Sequence, residues 1–286
     1  MKPFTVTVVG AAGKMGSRCS ENLLKRPDLF CVYLVEQGDE GISKIRERGF
    51  TPSLSEEAIP TSDFTILAVP DRLIRSVSQD VVRIMKPGSG LIILDPAAAV
   101  AGELARRDDC LFVVVHPCHP SYFIDQDTPE ARKDYFGGAG GKQDLVMARI
   151  QGDEALFESC QVVCRAMFSP VEQIYTMGVR DIAFLEPTLV ELLGATCLHA
   201  MAETVDQAVL RGIDRQAAIS FLTGHIYNLS ANFLGLLGDT PVSDACQTAI
   251  QLGQKLVLRE DWRKIWDDSV LDRVIATMLH PDRPQI

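Results

Sequence analysis

Apolar residues follow two different patterns along the chain, and the change between them comes near residue 177. Before it, short continuous apolar runs alternate with segments whose apolar residues recur at helical spacing. The runs predict strands at 5–9, 30–35, 63–70, 90–95, 111–115, 145–150 and 170–176, and the other segments predict helices at 17–25, 71–85 and 154–167. Continuous apolar strands separated by helices are typical of a parallel sheet covered on both faces. We therefore predict an α/β domain with a doubly wound parallel sheet over residues 1–177.

The second pattern begins at Gly178 and is helical throughout. It predicts helices at 179–211, 215–237, 241–257 and 262–279. Between about 188 and 210 the helix is apolar on most sides, and a helix of that kind is buried in a folded protein. Residues 178–286 are therefore predicted to form an all-α domain that binds substrate. Their apolar surface indicates burial against a second subunit, and hence a homodimer.

A glycine-rich turn of sequence GAAGKMG follows the first strand. Gly10 lets the chain turn sharply, Gly13 lets a pyrophosphate approach the backbone amides, and Gly16 lets the next helix pack closely on the strand. Glu36 ends the second strand twenty residues after Gly16, where a carboxylate can bond ribose hydroxyls, and no arginine follows it to neutralise a 2′-phosphate. This layout indicates a Rossmann-type unit that binds NAD rather than NADP. A strand–turn–helix without a ligand is the alternative.

Further candidate residues end other strands of the predicted sheet. Ligands bind beyond the carboxyl ends of the strands in such sheets, where this chain has Val69-Pro70-Asp71, Asp95-Pro96 and His116-Pro117. The residues expected to contact the cofactor are Gly10, Ala12, Gly13, Lys14, Met15, Gly16, Glu36, Val69 and Asp71.

The sequence His116-Pro117-Cys118-His119-Pro120 ends the fifth strand on the cofactor side. Transition metals accept histidine and cysteine as ligands, and the two prolines fix the backbone around them. A histidine that is only hydrogen-bonded at a strand end explains the same sequence equally well.

Glu186 lies between Leu185 and Pro187, near the start of the apolar helical stretch. A carboxylate among apolar residues is costly unless it is paired or bound to a metal. Because Pro187 cannot donate a backbone hydrogen bond, the helix is predicted to start or kink here. The alternative is a carboxylate near a helix N-terminus, favoured by the helix dipole.

His225 and Asn228 lie one turn apart on a later predicted helix, from which they could contact substrate. A polar pair at an interface between helices is the simpler interpretation of the same spacing.

Residues 117–142 show little periodicity and contain the sequence FGGAGGK at 136–142. This is not a phosphate-binding P-loop, because Phe136 replaces its first glycine and Gln143 replaces its serine or threonine. A loop of this length inside a compact domain is usually functional, often as a lid, and a disordered excursion is the alternative.

Composition and charge exclude several classes of function. The chain has 286 residues with 47% hydrophobic and 23% charged residues, which is ordinary for a soluble globular protein. A net charge of −10 gives no electrostatic support for nucleic-acid binding. The N-terminus has no secretory signal, and no apolar run appears long enough to span a membrane. The 8 cysteines form no C-x-x-C pair and are expected to be small buried side chains, with the exception of Cys118 because of its neighbours. We therefore expect a cytoplasmic protein with neither nucleic-acid nor membrane partners.

The features above resemble those of known enzyme families. The N-terminal unit, the Ala68-Val69-Pro70 strand end and the helical region resemble the 6-phosphogluconate and β-hydroxyacid dehydrogenases and the ketol-acid reductoisomerases. This chain has Asp181, Glu186 and Glu191 where a 6-phosphogluconate dehydrogenase has its lysine pattern. That departure argues against a lysine-driven oxidative decarboxylation.

A fuller resemblance covers GAAGKMG, the 116–120 sequence and FLEPT at 184–188. Over these segments the chain resembles the D-apionate oxidoisomerases of bacterial sugar-acid catabolism. The resemblance implies NAD-linked oxidation of D-apionate with a shift of the carbon skeleton, giving 3-oxo-isoapionate. It also implies a divalent metal of the zinc or magnesium class, with His116 and Glu186 as its ligands. His225 and Asn228 complete the predicted catalytic set.

Two other functions fit parts of the same sequence. One is a hydroxyacid dehydrogenase without rearrangement, whose activity would be insensitive to chelators. The other is a non-catalytic NAD-sensing protein. The cost of placing the Glu186 carboxylate among apolar residues argues against it. A sugar-acid substrate also needs a cation for its carboxylate, and the candidates are Arg180, Lys142 and Arg132.

Overall fold

The structure, a computed structural model, describes residues 2–282, and its strands form one seven-stranded sheet. Its strands are β1 (Phe4–Val9), β2 (Phe30–Val35), β3 (Phe64–Leu67), β4 (Gly90–Ile93), β5 (Leu111–Pro117), β6 (Gln143–Gln151) and β7 (Val171–Thr176). The strand order is β2-β1-β3-β4-β5-β6-β7. The five strands from β2 to β5 in this order run parallel to their neighbours.

The strand β6 is antiparallel to β5, and β7 is parallel to β6. The Rossmann-type sheet predicted from the sequence is confirmed, but it is mostly parallel rather than fully parallel. The physical reason lies in residues 118–142, which contain one short 3-10 turn and no crossover helix. A parallel neighbour needs a connection that crosses the sheet, whereas this segment leaves β5 and enters β6 at the same edge.

Helices connect the parallel strands and then make up most of the C-terminal region. They are α1 (Lys14–Leu24), α2 (Asp39–Glu47), α3 (Ser55–Ala58), α4 (Asp71–Ile84), α5 (Ala97–Val100), α6 (Glu154–Met167), α7 (Val179–Ala183), α8 (Thr196–Leu210), α9 (Arg215–Phe233), α10 (Asp244–Val257) and α11 (Asp268–Leu279). The sequence pattern missed α2, α3 and α5, which are short and give little periodic signal. In α2, for example, Ile45 is the one buried residue.

Both faces of the sheet are covered. Alternate residues of the strands, such as Val6 of β1 and Val113 of β5, join a buried cluster with side chains of α1 and α6. Residues that point to the opposite face, such as Leu91 and Phe112, are also buried. Cysteines of α1 and α6 belong to this cluster as small apolar side chains, and burial raises the pKa of the Cys19 thiol to about 12.

A π-helical segment, Phe184–Ala195, joins α7 to α8 and contains Pro187. A π-helix bonds each amide to the carbonyl five residues back, and such segments are frequent at functional sites. The distortion predicted at Pro187 therefore takes the form of a change in helix type, and the helical path continues through it.

The helical stretch Val179–Leu210 corrects one expectation from the sequence. It has 32 residues and a mean hydropathy of 1.3 over its most apolar window, so among the described residues one stretch passes the length and composition test for a membrane span. The sequence suggests none because no single apolar run within the predicted helix 179–211 is long enough, whereas the test takes the whole continuous stretch of α7, the π-helical segment and α8. Core helices of soluble proteins pass the same test.

The chain divides into two compact units. The first consists of the chain up to Leu185 and again from Asp272, so most of α11 belongs to the same unit as the sheet. His280, next to α11, contacts Glu103 in this unit with 2.7 Å between Nε2 and Oε1. The second unit is Glu186–Leu271 and contains α8, α9 and α10.

The close packing around Gly16 leads to a testable prediction. A Cβ there would lie 2.0 Å from the carbonyl oxygen of Gly10 and 2.9 Å from the Cα of Ala11, so backbone would have to move. We expect Gly16→Ala to destabilise the protein by about 3 kcal/mol and to lower its Tm by roughly 6–12 °C. Thermal unfolding followed by circular dichroism measures this, with Gly253→Ala as the control because a Cβ at Gly253 meets nothing within 4 Å. Equal Tm values for both variants and the parent would contradict the prediction.

Candidate active site

The glycine-rich turn between β1 and α1 has the conformation that the sequence pattern required. Gly10 has φ +81°, and its amide donates to the Val35 carbonyl at 3.0 Å. A Cβ on Gly10 would lie 2.4 Å from the carbonyl oxygen of Ala68, so only glycine fits. The turn is thereby pressed between the ends of β2 and β3.

The helix α1 starts at Lys14, directly after the turn, with Gly13 as its N-cap. Within residues 2–282, no side chain caps this end. First-turn amides of a helix have no intrahelical acceptor, and together with the helix dipole they favour an anion at this position. A Cβ on Gly13 would make only ordinary contacts, the nearest being 3.4 Å from the Gly10 oxygen. The fold itself therefore does not demand glycine at 13, whereas a close ligand would.

Glu36 follows β2 and reaches across to the glycine-rich turn. Its Oε2 accepts a hydrogen bond from the Ala12 amide at 2.9 Å, and its Oε1 accepts one from the Gln37 amide at 2.9 Å. The predicted ribose-binding carboxylate thus lies beside the predicted pyrophosphate-binding backbone. The direct bond between Glu36 and Ala12 was not expected from the sequence.

A cavity of about 490 Å³ opens at the carboxyl ends of β1 and β2, beside α4. Apolar side chains of Val9, Val35, Leu73 and Val77 line part of it, together with Gln37. Its volume is in the range of small-molecule sites. Leu73 and Val77 were not among the predicted cofactor residues. Their four-residue spacing on α4 is that of any amphipathic helix, so it does not distinguish a cofactor contact from ordinary packing.

The end of β3 supplies the last predicted cofactor residues. Val69 lies so close to the turn that a Cβ on Gly10 would be 3.1 Å from its Cγ1. Asp71 is the first residue of α4, and burial raises the pKa of its carboxyl group. The predicted cofactor residues from three strand ends are therefore gathered at one edge of the sheet.

His116 lies at the end of β5, and its Nδ1 is 3.0 Å from the Leu94 carbonyl oxygen. A carbonyl only accepts, so Nδ1 carries the proton and Nε2 is the basic nitrogen of the ring. Burial lowers the pKa of His116 to about 4, although the hydrogen bond to Leu94 acts in the opposite direction. The ring is thus neutral near pH 7, which is the form that ligates metals or accepts a proton.

His119 is held beside His116, with 6.2 Å between the centres of the two rings. It has φ +60°, an uncommon backbone conformation for a residue other than glycine. Its Nδ1 donates to the Phe136 carbonyl at 2.9 Å. Cys118, between the two histidines, is exposed.

The segment 118–142 is an ordered loop rather than a structureless excursion. The Asp134 carboxylate accepts hydrogen bonds from the amides of Gly137, Ala139 and Gly141 at 2.8, 2.7 and 3.0 Å. The side-chain amide of Gln126 pairs with both backbone groups of Lys142, at 2.7 and 3.0 Å. These bonds fix the glycine-rich part of the loop next to α1.

Phe136 connects this loop to the cofactor helix. The Lys14 ammonium lies 3.7 Å from the centre of the Phe136 ring, and the Arg18 guanidinium lies 4.7 Å from it. Arg18 is 8% exposed and donates to Gln143 Oε1 at 3.0 Å. It fills the space that a Cβ on Gly137 or Gly138 would need. Two features of the sequence could have indicated that Lys14 and Arg18 contact Phe136. One is the four-residue spacing of the two cations, and the other is the pair of glycines after Phe136.

The remaining predicted catalytic residues belong to the second unit. Glu186 lies in the π-helical segment, close to Thr188, which is fully buried. His225 and Asn228 lie on α9 and line a shallow cavity of about 540 Å³. The His225 ring stacks on Phe221 at 4.1 Å, and its Nδ1 donates to the Phe221 carbonyl at 2.7 Å. A joint site of His116 with these residues stays a prediction.

The chemistry of His116 fits a divalent cation, since a neutral imidazole with Nδ1–H on a carbonyl is the usual arrangement of a metal-ligating histidine. Among the described residues, no group of three or more histidine, cysteine, aspartate or glutamate side chains is arranged to hold a metal. The pairing of His116 with Glu186 as metal ligands therefore stays a prediction.

Two of the three candidate cations for a substrate carboxylate are already in ion pairs. The Nζ of Lys142 lies 2.6 Å from the Oδ1 of Asp127, and the Nη2 of Arg180 lies 2.9 Å from the Oδ1 of Asp272. Each pair would have to open or be shared before its cation could bind substrate.

Comparison with known proteins gives concordant results. Residues 124–279 match the family model described as phosphogluconate dehydrogenase (decarboxylating), C-terminal. The chain is 63% identical to a D-apionate oxidoisomerase of Blautia hydrogenotrophica over 100% of both chains. It is 39% identical to one of Pectobacterium atrosepticum, over 97% of this chain and 96% of that protein.

A solved structure from Cupriavidus necator is also similar. It is a semialdehyde dehydrogenase NAD-binding protein in complex with calcium and NAD, 37% identical in sequence. The TM-score is 0.91, and the match covers 97% of this chain and 100% of that one.

The site makes a prediction at Gly13 that separates cofactor binding from folding. Because a Cβ there meets nothing closer than 3.4 Å, we expect Gly13→Ala to leave the Tm within a few degrees of the parent. The added methyl group would obstruct an approaching pyrophosphate and raise the dissociation constant for NAD about tenfold or more. Isothermal titration calorimetry measures the binding, and undiminished NAD affinity would contradict the prediction.

Proposed function

The chain belongs to the D-apionate oxidoisomerase family, with a C-terminal region of the phosphogluconate dehydrogenase type, and from this we propose that it converts D-apionate to 3-oxo-isoapionate with NAD as oxidant. The observation that carries the proposal is the 63% identity over the full length of a D-apionate oxidoisomerase. The strand-end site supports it independently, because a dinucleotide-binding turn and a neutral histidine lie at the same edge of one sheet.

The residues of the first unit would bind and orient NAD. The amides at the start of α1 would hold the pyrophosphate, and Glu36 would accept hydrogen bonds from a ribose. The apolar slot formed by Val35, Leu73 and Val77 has the character of an adenine site. A 2′-phosphate would meet the Glu36 carboxylate, which supports a preference for NAD over NADP.

The reaction begins at a secondary alcohol, whose oxidation gives a ketone beside a tertiary alcohol, and a shift of the carbon skeleton then follows. When bound, NAD would supply the hydride acceptor and a divalent cation would supply a Lewis acid. We propose that His116 and Glu186 would hold the cation. Because burial lowers the pKa of His116, its neutral ring would coordinate without first losing a proton. His225 and Asn228 would orient the substrate hydroxyls.

This proposal predicts metal-dependent NADH formation from D-apionate. The purified protein is incubated with NAD and D-apionate, with and without EDTA, and absorbance at the NADH band is followed. We expect His116→Ala and Glu186→Ala to lower kcat/KM at least about 100-fold and to reduce bound metal, since ligand loss removes both. His199→Ala and Glu203→Ala are matched controls, because both side chains are exposed.

Three results would contradict parts of the proposal. Full activity and full metal content in the His116 and Glu186 variants would remove those residues from the site. Activity insensitive to EDTA, with an unrearranged product by NMR, would favour a simple dehydrogenase. Tight NAD binding without turnover on a panel of sugar acids would favour an NAD-sensing protein.

We further propose that the second unit is covered by a second copy of this chain. The helix α10 buries none of its residues, and α9 buries only Ala231. Large apolar side chains are exposed on three of its helices, namely Leu198, Met201, Leu210, Ile219, Phe221, Tyr227, Phe233, Leu252, Leu256 and Val257. With each contributing on the order of 100 Å², the ten side chains offer on the order of 1,000 Å², which exceeds the roughly 800 Å² per partner that a stable interface buries.

Light scattering after gel filtration tests the dimer. We expect a mass of twice 31.4 kDa. Leu256 is 84% exposed on α10, and Leu256→Glu would place a charge in the proposed interface and shift the mass toward the monomer. Gln254→Glu adds the same charge on the opposite side of α10 and serves as the control. A monomeric parent protein would overturn the proposal.

A cytoplasmic location, the lack of nucleic-acid and membrane partners, and a domain boundary near residue 177 stay predictions from the sequence.

A further inference from the structure

Arg48 follows α2 directly and extends its side chain to the glycine-rich turn. Its Nη1 donates to the Ala11 carbonyl at 3.1 Å and to Ser17 Oγ at 3.2 Å. The hydroxyl of Ser17 also donates to the Ala11 carbonyl, at 3.3 Å. The carbonyl of one residue in the predicted pyrophosphate-binding turn is therefore held by two donors.

The other terminal nitrogen of Arg48 is fixed on α1. Nη2 donates to Ser20 Oγ at 3.1 Å and lies 3.2 Å from Glu21 Oε1. The guanidinium is planar, so its contacts with α1 also determine where Nη1 lies. The side chain is 20% exposed, and its guanidinium lies 5.6 Å from the ring centre of Phe50. Arg48 is thus held from several directions while it contacts the turn.

The contact with Ala11 determines the direction of a neighbouring N–H group. The Ala11 carbonyl and the Ala12 amide belong to the same planar peptide unit, in which C=O and N–H point in opposite directions. Arg48 holds the carbonyl end, and the amide end donates to Glu36 Oε2 at 2.9 Å. One peptide plane therefore lies between an arginine behind the turn and the carboxylate predicted to bind ribose.

We infer that Arg48 is a positioning residue for the dinucleotide, which fixes the Ala11–Ala12 peptide plane and thereby the Glu36 carboxylate. Arg48 acts from behind the turn, through the protein backbone, and touches no substrate. This inference rests on the proposed NAD binding at the turn, and it is independent of which sugar acid is oxidised.

The test measures NAD affinity in Arg48→Lys and Arg48→Ala. Lysine keeps the charge but cannot reach the Ala11 carbonyl and the α1 acceptors at once, since it has a single nitrogen. We expect the dissociation constant for NAD to rise about tenfold or more in both variants, the usual loss when a charge-assisted hydrogen bond is removed. The KM for D-apionate and kcat at saturating NAD should change less than about twofold, which a general loss of structure would not produce.

Arg46→Ala is the matched control. Arg46 is an exposed residue of α2, two positions before Arg48, and its removal changes the net charge equally. We expect its NAD affinity to equal that of the parent. If Arg48→Lys binds NAD as the parent does, or if Arg46→Ala loses as much affinity as Arg48→Ala, then charge alone acts and the positioning role is wrong.

A double-mutant cycle with Glu36→Ala tests the route of the effect. If Arg48 acts through the peptide plane onto Glu36, the losses of Arg48→Lys and Glu36→Ala combine to less than their product. Fully multiplicative losses would overturn this route. A parent protein that does not bind NAD in the same titration would instead overturn the proposed function, so the two failures are distinguishable.

Discussion

The close approach of α1 to the end of β1 is the constraint on which the rest of the site depends. The helix can lie where it does only because Gly16 leaves the carbonyl of Gly10 uncovered, at a distance where a Cβ would be 2.0 Å away. This contact aims the start of α1 at the carboxyl edge of the sheet. Lys14 and Arg18 project from the same helix onto Phe136, so the position of the loop after β5 follows from it as well.

Much of the first unit could be predicted because its signals are local. Continuous apolar runs gave the strands from β1 to β5 nearly to their ends, and the glycines at 10 and 16 have the tight surroundings that their spacing implied. His116 was correctly expected at a strand end, because the apolar run stops at it. In each case the residues that form the sequence pattern lie in the same short segment as the structure that the pattern predicts.

The features that could not be predicted depend on partners far apart in the sequence. The direction of β6 depends on which edge of the sheet the loop after β5 returns to, and an apolar strand has the same pattern in either direction. Arginine is usually a surface residue, yet Arg18 donates a hydrogen bond to the Gln143 side chain and Arg48 donates one to the Ala11 carbonyl. The π-helical segment has the apolar pattern of an ordinary helix, and only Pro187 gave a sign of its distortion.

The reversal at β6 also bears on which part of this fold can change in length. Because β5 and β6 are antiparallel, residues 118–142 begin and end at one edge of the sheet, the same edge that carries the glycine-rich turn. Insertions or deletions in this segment would leave every strand in register, as a hairpin loop tolerates changes of length. The length of this loop and the arrangement of the parallel strands can therefore change independently: the strands that hold the glycine-rich turn keep their register while this one segment varies.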